Sequence, residues 1–343
     1  MSELRINNIT DRAGSSGPII AGVSTVTSTS HMVMPSGPTE MRGGRGRGVT
    51  AGGTTPSNTD AMEFFEIATT GNAQDFGDLS RQKRGMGGCS SATRGIIMGG
   101  YYPSPAAYFA EIEYVIISSQ GGGNDFGDMN FISGWGGSCS NNTRGLHAGS
   151  WNSLVNNIDF ITIATTGDGT NFGDLTAGRQ VTGSTSSPTR GIWFGGASPT
   201  PNPNYPMNII DFVTIASQGD AQDFGDVNAH DVGGYAWGGC SNGTRGVFYG
   251  GKPNPSSQTN AIDFITIATK GNAQDFGDAV NAVSYPTGSM ASNDRGVWAG
   301  GGGTNVIQFV TISSTGNAQD FGDLLSNNQQ QAGFSDADGG LGD

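Results

Sequence analysis

The sequence predicts an all-β fold, a six-bladed β-propeller with an extended N-terminal arm, and three observations carry that expectation. Two short motifs recur in step along the 343 residues, a β-rich segment sits between them in each unit, and the C-terminus supplies a strand that the first unit lacks. Repeats of 40 to 50 residues that each hold four short strands are the sequence mark of a propeller.

The first motif is Phe-Gly-Asp, beginning at Phe76, Phe126, Phe172, Phe224, Phe276 and Phe321, at intervals of 50, 46, 52, 52 and 45 residues. The second is Arg-Gly, at Arg47, Arg94, Arg144, Arg190, Arg245 and Arg295, each followed by three mostly apolar residues and then Gly. Five of the six continue with a second Gly; the third has Ser150. Between the motifs lie segments such as Ile158 to Ala164, Ile210 to Ala216, Ile262 to Ala268 and Val306 to Ser313. Their β-branched and aromatic content reads as a strand buried on both faces, as a blade packed between two others requires. Each unit then holds a strand before Arg-Gly, one ending at the Gly pair, the Ile-Asp-Phe strand and one around Phe-Gly-Asp. These landmarks resemble the kelch repeat over residues 41 to 343, with Phe of Phe-Gly-Asp standing where kelch usually has Trp.

Closure is readable from the ends. Five positions before the repeated Arg stand Cys89, Cys139, Thr185, Cys240 and Met290; the first unit has no such strand ahead of Arg47. The step from Phe126 to Cys139, applied to Phe321, lands on Phe334. Residues 328 to 337 are therefore expected to join the first blade and close the ring, which removes the open edges of a linear array.

Composition agrees and narrows the functions. Gly is 59 of 343 residues, well above the usual share of about 7%, without the period of collagen. With 29 acids against 16 Lys and Arg the net charge is −13, which disfavours phosphate backbones and hence nucleic acid as a partner. No stretch reaches the length of a membrane span, and the start of the chain lacks the apolar core of a secretion signal. The three Cys offer neither a disulfide framework nor paired metal ligands. They share one repeat position with Thr and Met and read as packing residues near the axis. His147 occupies a slot held elsewhere by Thr50, Ile97, Trp193, Phe248 and Trp298, and reads as a core histidine. No nucleophile, P-loop, zinc or dinucleotide motif stands in context, so neither catalysis nor a cofactor or metal is expected. The repeated Arg and the repeated Asp (Asp78, Asp128, Asp174, Asp226, Asp278, Asp323) recur in every unit, so they are expected to pair with one another as scaffold. Arg42 to Arg47, an RGG-like tract, is read as a turn into the first blade.

Length varies in one place per unit. From the repeated Arg to the next Phe-Gly-Asp the distance runs from 26 to 34, whereas from Asp to the next Arg it is 16 to 19. The variable loops, 54–60, 101–110, 151–157, 197–207, 252–259 and 302–305, fall on one face of an up-and-down propeller. Their aromatics make Tyr101, Tyr102, Trp151 and Tyr205 the candidate ligand-binding residues, with carbohydrate stacking the natural chemistry.

Residues 1 to 40 lie outside the repeat. Their apolar content (Ile19, Ile20, Val23, Val26, Met32, Val33, Met34) without a core of its own suits an arm ordered by a partner. The opening Ile9 to Gly14, the stretch Ala21 to Thr25 and the Thr-Arg-Gly, Ile-Asp-Phe-Ile-Thr-Ile-Ala and Phe-Gly-Asp repeats together resemble structural proteins of marine tailed bacteriophages, especially those of cyanobacteria. That resemblance implies a virion component, oligomeric in the particle, attached to other virion proteins through the arm and presenting a face to a host glycan or protein. A capsid or tail decoration protein without receptor binding, and a cellular kelch-type scaffold or sugar-processing propeller, are the alternatives.

Overall fold

A computed structural model describes residues 46–54, 56–104, 106–152, 155–180, 182–198, 205–227, 235–252, 258–283 and 288–341. The expected arm, residues 1 to 40, lies outside the described residues.

Among the described residues the strands assemble into six antiparallel blade sheets of the expected order, five of them four-stranded and one five-stranded, with a separate two-stranded pair, Ala197–Ser198 and Tyr205–Pro206. Blade 3 shows the common plan from axis to rim: Gly137–Ser140, Arg144–Ala148, Asn157–Thr162 and Thr170–Asp174. The innermost strands touch one another in sequence round the axis until the last meets the first, so the ring is closed. Six apolar clusters, one at each blade interface, form the core.

Closure occurs as the register argument requires. Ala332–Ser335 is the innermost strand of blade 1, and Phe334 pairs with Val49 as Cys139 pairs with Leu146. Phe334 is buried.

The repeated motifs are inter-blade fastenings, although not the ones expected. In all six blades the repeated Arg lies over an aromatic ring of its own third strand, 4.4 to 4.8 Å from the ring centroid. Its Nη1 donates at 2.7 to 3.1 Å to a backbone carbonyl in the next blade: Ile117, Ile163, Ile215, Ile267, Ile312 and, across the closure, Ile67. No repeated Arg makes an ion pair with a Phe-Gly-Asp carboxylate among the described residues; Arg47 alone has a carboxylate partner, Glu66. The expected Arg–Asp pairing is thus corrected. The guanidinium is turned towards the ring and the carbonyl, and the Asp side chains lie exposed or half-exposed at the rim.

Phe-Gly-Asp works through its ring and its main chain. At each third-to-fourth strand pairing the register shifts, leaving Phe opposite no partner residue. Such a bulge re-aims a side chain. The freed ring meets the third-strand aromatic edge-on, 5.8 to 6.0 Å between centroids at 74 to 80°. The carbonyl of Phe then accepts from a turn Gly of the next blade, as at Gly121 N to Phe76 O and Gly71 N to Phe321 O. The motif's own Gly is required there. Gly173 has φ +154°, and a Cβ on it would lie 2.4 Å from the Gly219 carbonyl oxygen of blade 4.

A third tie was not foreseen. The polar residue of the Ile-Asp-Phe strand is buried and accepts the main-chain N–H two residues past the repeated Asp of the preceding blade. Glu113 takes Ser80 N, Asp159 takes Asn130 N, Asp211 takes Thr176 N, Gln308 takes Val280 N and Glu63 takes Leu325 N. Two are further neutralised, Glu113 by Lys83 at 2.7 Å and Asp211 by Arg179 at 3.0 Å, with all four side chains at most 1% exposed. Burial raises the Glu113 pKa, but the charge and hydrogen bond of Lys83 together with the two Ser80 hydrogen bonds outweigh it and hold the carboxyl below its ordinary value.

Two measurements test this plan. Phe334→Ala removes a buried ring at the closure and is expected to cost about 3–5 kcal/mol in denaturant unfolding; a chain ending at Asn328 should melt well below the intact protein by circular dichroism. Arg144→Met keeps the stem but loses the carbonyl bond, so it should cost about 1.5–3 kcal/mol. Asp128→Asn, at an exposed carboxylate, should change stability by less than about 0.5 kcal/mol; equal losses for the two would restore an Arg–Asp tie.

Candidate functional site

Among the described residues, the axis and the face that carries the variable loops are the places where several blades could meet one ligand; a cavity of about 240 Å³ beside Phe309 and Gln319 is confined to blade 6. At the axis the inner strands bring Gly, Ser, Thr and Cys together around cavities of about 30 and 70 Å³. Binding pockets for small molecules run to roughly 300–1,000 Å³. Serine hydroxyls link the inner strands: Ser140 donates to Ser90 O at 2.7 Å, Ser186 to Ser140 O at 2.8 Å, Ser241 to Ser186 O, Ser90 to Ser335 O and Ser335 to Ala291 O, both at 2.6 Å. The sequence is interrupted at Ala291, which has no hydroxyl. Just beyond, the C-terminal 3-10 turn Gly339–Leu341 packs on inner strands of blades 3, 4 and 5. Asn142 Nδ2 donates to Leu341 O at 3.3 Å. This end of the axis is occupied by the chain's own C-terminal segment.

Cys89, Cys139 and Cys240 are buried as expected, each against the Gly of an Arg-Gly in the following blade: a Cβ on Gly145 would lie 2.9 Å from Cys89 Sγ. Burial pushes the Cys89 thiol up to about 12, and the other two well above their ordinary value. His147 is 1% exposed between Ser133 Oγ and Ser138 Oγ, each at 2.7 Å, and burial lowers its pKa to about 3. It stays a neutral core residue across the physiological range.

The opposite face is different in kind. Tyr101 and Tyr108, on the paired strands Tyr101–Pro103 and Ala106–Ile116 of blade 2, lie 5.2 Å apart between ring centroids. Trp135, in the link from blade 2 to blade 3, is 6.1 Å from Tyr101 and 5.9 Å from Tyr108. Trp151, in the loop after the second strand of blade 3, is 5.7 Å from Trp135. All four are half-buried, so each ring keeps surface facing water. The Arg84 guanidinium sits among them, 5.2 Å from the Tyr101 ring and 5.9 Å from Trp135.

A main-chain hydrogen bond fixes Trp135 within the cluster despite a strained backbone. Trp135 has φ +59°, a left-handed conformation that costs a bulky residue roughly 1–2 kcal/mol. The link from blade 1 to blade 2 has Gly85, φ +68°, at the same step before its inner strand. Trp135 N donates to Gly85 O at 2.7 Å, and its ring lies so close that a Cβ on Gly85 would come within 2.7 Å. The Trp135 Nε1 hydrogen finds no acceptor among the described residues.

The chain matches no protein-family model and no curated protein.

Of the residues expected to bind, Tyr101 and Trp151 come together in the cluster. Tyr102 does not. It is 2% exposed, lies against the Phe109 ring at 4.0 Å between centroids and under Arg81 at 4.7 Å, because alternation along a strand sends it inward where Tyr101 points out. The loop expected over 101–110 is in large part a β-ribbon. Tyr205 belongs to another blade, on a two-residue strand paired with Ala197–Ser198 in blade 4. Trp135 and Arg84 were missed, since both lie in the links of near-constant length rather than in the variable loops. The available signal was Trp at a step where blade 2 has Gly.

The C-terminal turn offers a test through pH. Asp338 borders the axial cavity, reachable by water yet surrounded by protein, and burial pushes its carboxyl up from 3.8 to about 6 against one Gly340 N–H bond. A raised carboxyl stabilises fully below pH 3.8, and that contribution is lost as pH rises through 6. Asp338→Asn should therefore raise the thermal midpoint by a few degrees at pH 8 and leave it nearly unchanged at pH 4, by scanning calorimetry.

Proposed function

We propose that this chain is a recognition module of a tailed-phage particle, binding carbohydrate at the Tyr101, Tyr108, Trp135 and Trp151 cluster, with the N-terminal arm seated on other virion proteins. The reading rests on one observation: among the described residues, a half-exposed aromatic platform occurs once, on a scaffold whose Arg-Gly and Phe-Gly-Asp contacts recur in every blade. Scaffold needs are the same in every blade, whereas a binding site needs one copy. Rigid aromatic rings give contact area at low entropic cost, and their faces suit the C–H surfaces of a sugar ring. The positive φ of Trp135 recurs at the same link step in Gly85 and Gln330 and is scaffold; what is particular to Trp135 is its ring, placed against Tyr101, Tyr108 and Trp151. The virion assignment comes from the resemblance in the N-terminal stretch and the repeats, and a decoration role is its alternative.

Trp135→Gly separates recognition from folding. Glycine relaxes the left-handed backbone, so the thermal midpoint should stay level or rise, while glycan-array binding should fall at least about tenfold, the loss of roughly 1.4 kcal/mol expected of a hot-spot aromatic. Trp151→Ala should weaken binding similarly. Particles that carry both substitutions and adsorb as well as before would favour decoration over attachment.

A further inference from the structure

Arg84 tells what kind of saccharide the cluster would take. The other cations that fold into the links between blades are neutralised within the chain: Arg81 lies 3.8 Å from Glu111, Lys83 lies 3.7 Å from Glu111 and 2.7 Å from Glu113, and Arg179 lies 3.0 Å from Asp211. The six repeated arginines spend their Nη1 on carbonyls. Arg84 has neither an ion pair nor a side-chain hydrogen bond among the described residues, in a chain where acids outnumber bases 29 to 16. Its Nε is closed off by the cluster without an acceptor, and the residue is half-buried, so the guanidinium is held by the rings of Tyr101 and Trp135 with its outer end towards the surface.

We infer that the cluster recognises an acidic saccharide, its ring on the Trp135 and Trp151 platform and its carboxylate or sulfate group on Arg84. This rests on the carbohydrate reading above and adds the charge of the ligand. A planar guanidinium matches the two oxygens of a carboxylate or sulfate in a bidentate pair, and the ring faces fix its orientation. A cation already inside the aromatic cluster excludes the quaternary ammonium ligands that empty aromatic cages attract. The net charge of −13 does not forbid an anion. Screening confines exposed charges to about 8 Å at physiological salt, and nearby Glu111 is already engaged with Arg81 and Lys83.

The full chain can be titrated calorimetrically with three oligosaccharides of equal length: a neutral glucan, a uronate oligomer and a sulfated neutral oligomer. At least one acidic oligomer should bind ten times more tightly than the neutral one, with the advantage shrinking as salt rises, and whichever does identifies carboxylate or sulfate as the group read. Arg84→Gln should abolish the advantage without shifting the thermal midpoint, and Arg84→Lys should restore only part of it. Trp151→Ala should weaken acidic and neutral ligands alike. Equal binding of all three oligomers, unaltered in Arg84→Gln, would overturn the charge inference and leave the carbohydrate reading standing. No binding of any of them by the folded chain would overturn both.

Discussion

A guanidinium laid across an aromatic ring of its own blade, with one nitrogen bonded to a carbonyl of the next, is the contact on which the rest of the disc depends. Six of these follow one another round the ring, and the last, Arg295 to Ile67, crosses from the end of the repeat to its beginning. The third-strand ring under each arginine also receives the edge of Phe from Phe-Gly-Asp, so one stack couples the second, third and fourth strands of a blade. The bulge that frees this Phe leaves its carbonyl to accept from the neighbouring turn. Blades that bury both faces have little else to orient them, since apolar packing is not directional.

Buried polar atoms give that orientation a second set of constraints. The Glu, Asp or Gln at the centre of the third strand can be tolerated only if a donor reaches it, because an unpaired buried charge is far more costly than a paired one is favourable. The donors come from the preceding blade, and a slipped neighbour would strand them. Acidity in this chain therefore serves packing as well as solubility: some carboxylates lie inside, clamped by main-chain N–H groups, while the Phe-Gly-Asp carboxylates sit at the rim, where only their backbone is used.

Against that regularity, the surface of blades 2 and 3 stands apart. Tyr101, Tyr108, Trp135 and Trp151 share no repeat position and are gathered by a ribbon, a link and a loop. A Trp is held at positive φ where the preceding link has Gly, and an arginine lies among the rings without a carboxylate among the described residues. The positive φ itself recurs at Gln330 in the link into blade 1, so the aromatic rings and the arginine, rather than the backbone, are what the proposed recognition role draws on.

The order of strands, the count of blades and the closing strand were all legible in the sequence, because period and motif phase are one-dimensional quantities. Phe334 could be matched to Cys139, and so to the innermost strand of blade 1, simply by counting from Phe321; its pairing with Val49 came from the structure. Residue roles that depend on what lies across a blade interface were not. Arg-Gly and Phe-Gly-Asp run in phase along the chain, which suggested that they meet, yet the arginine reaches a carbonyl some seventy residues on in the next blade. The candidate site was half legible: Tyr101 and Trp151 stood out as loop aromatics, whereas the inward turn of Tyr102 and the joining of Trp135 and Arg84 depended on strand alternation and on the twist of a link. Periodicity along the chain determined the architecture; the encounter of residues from separate blades, and so the site, was decided only when the ring closed and brought their surfaces together.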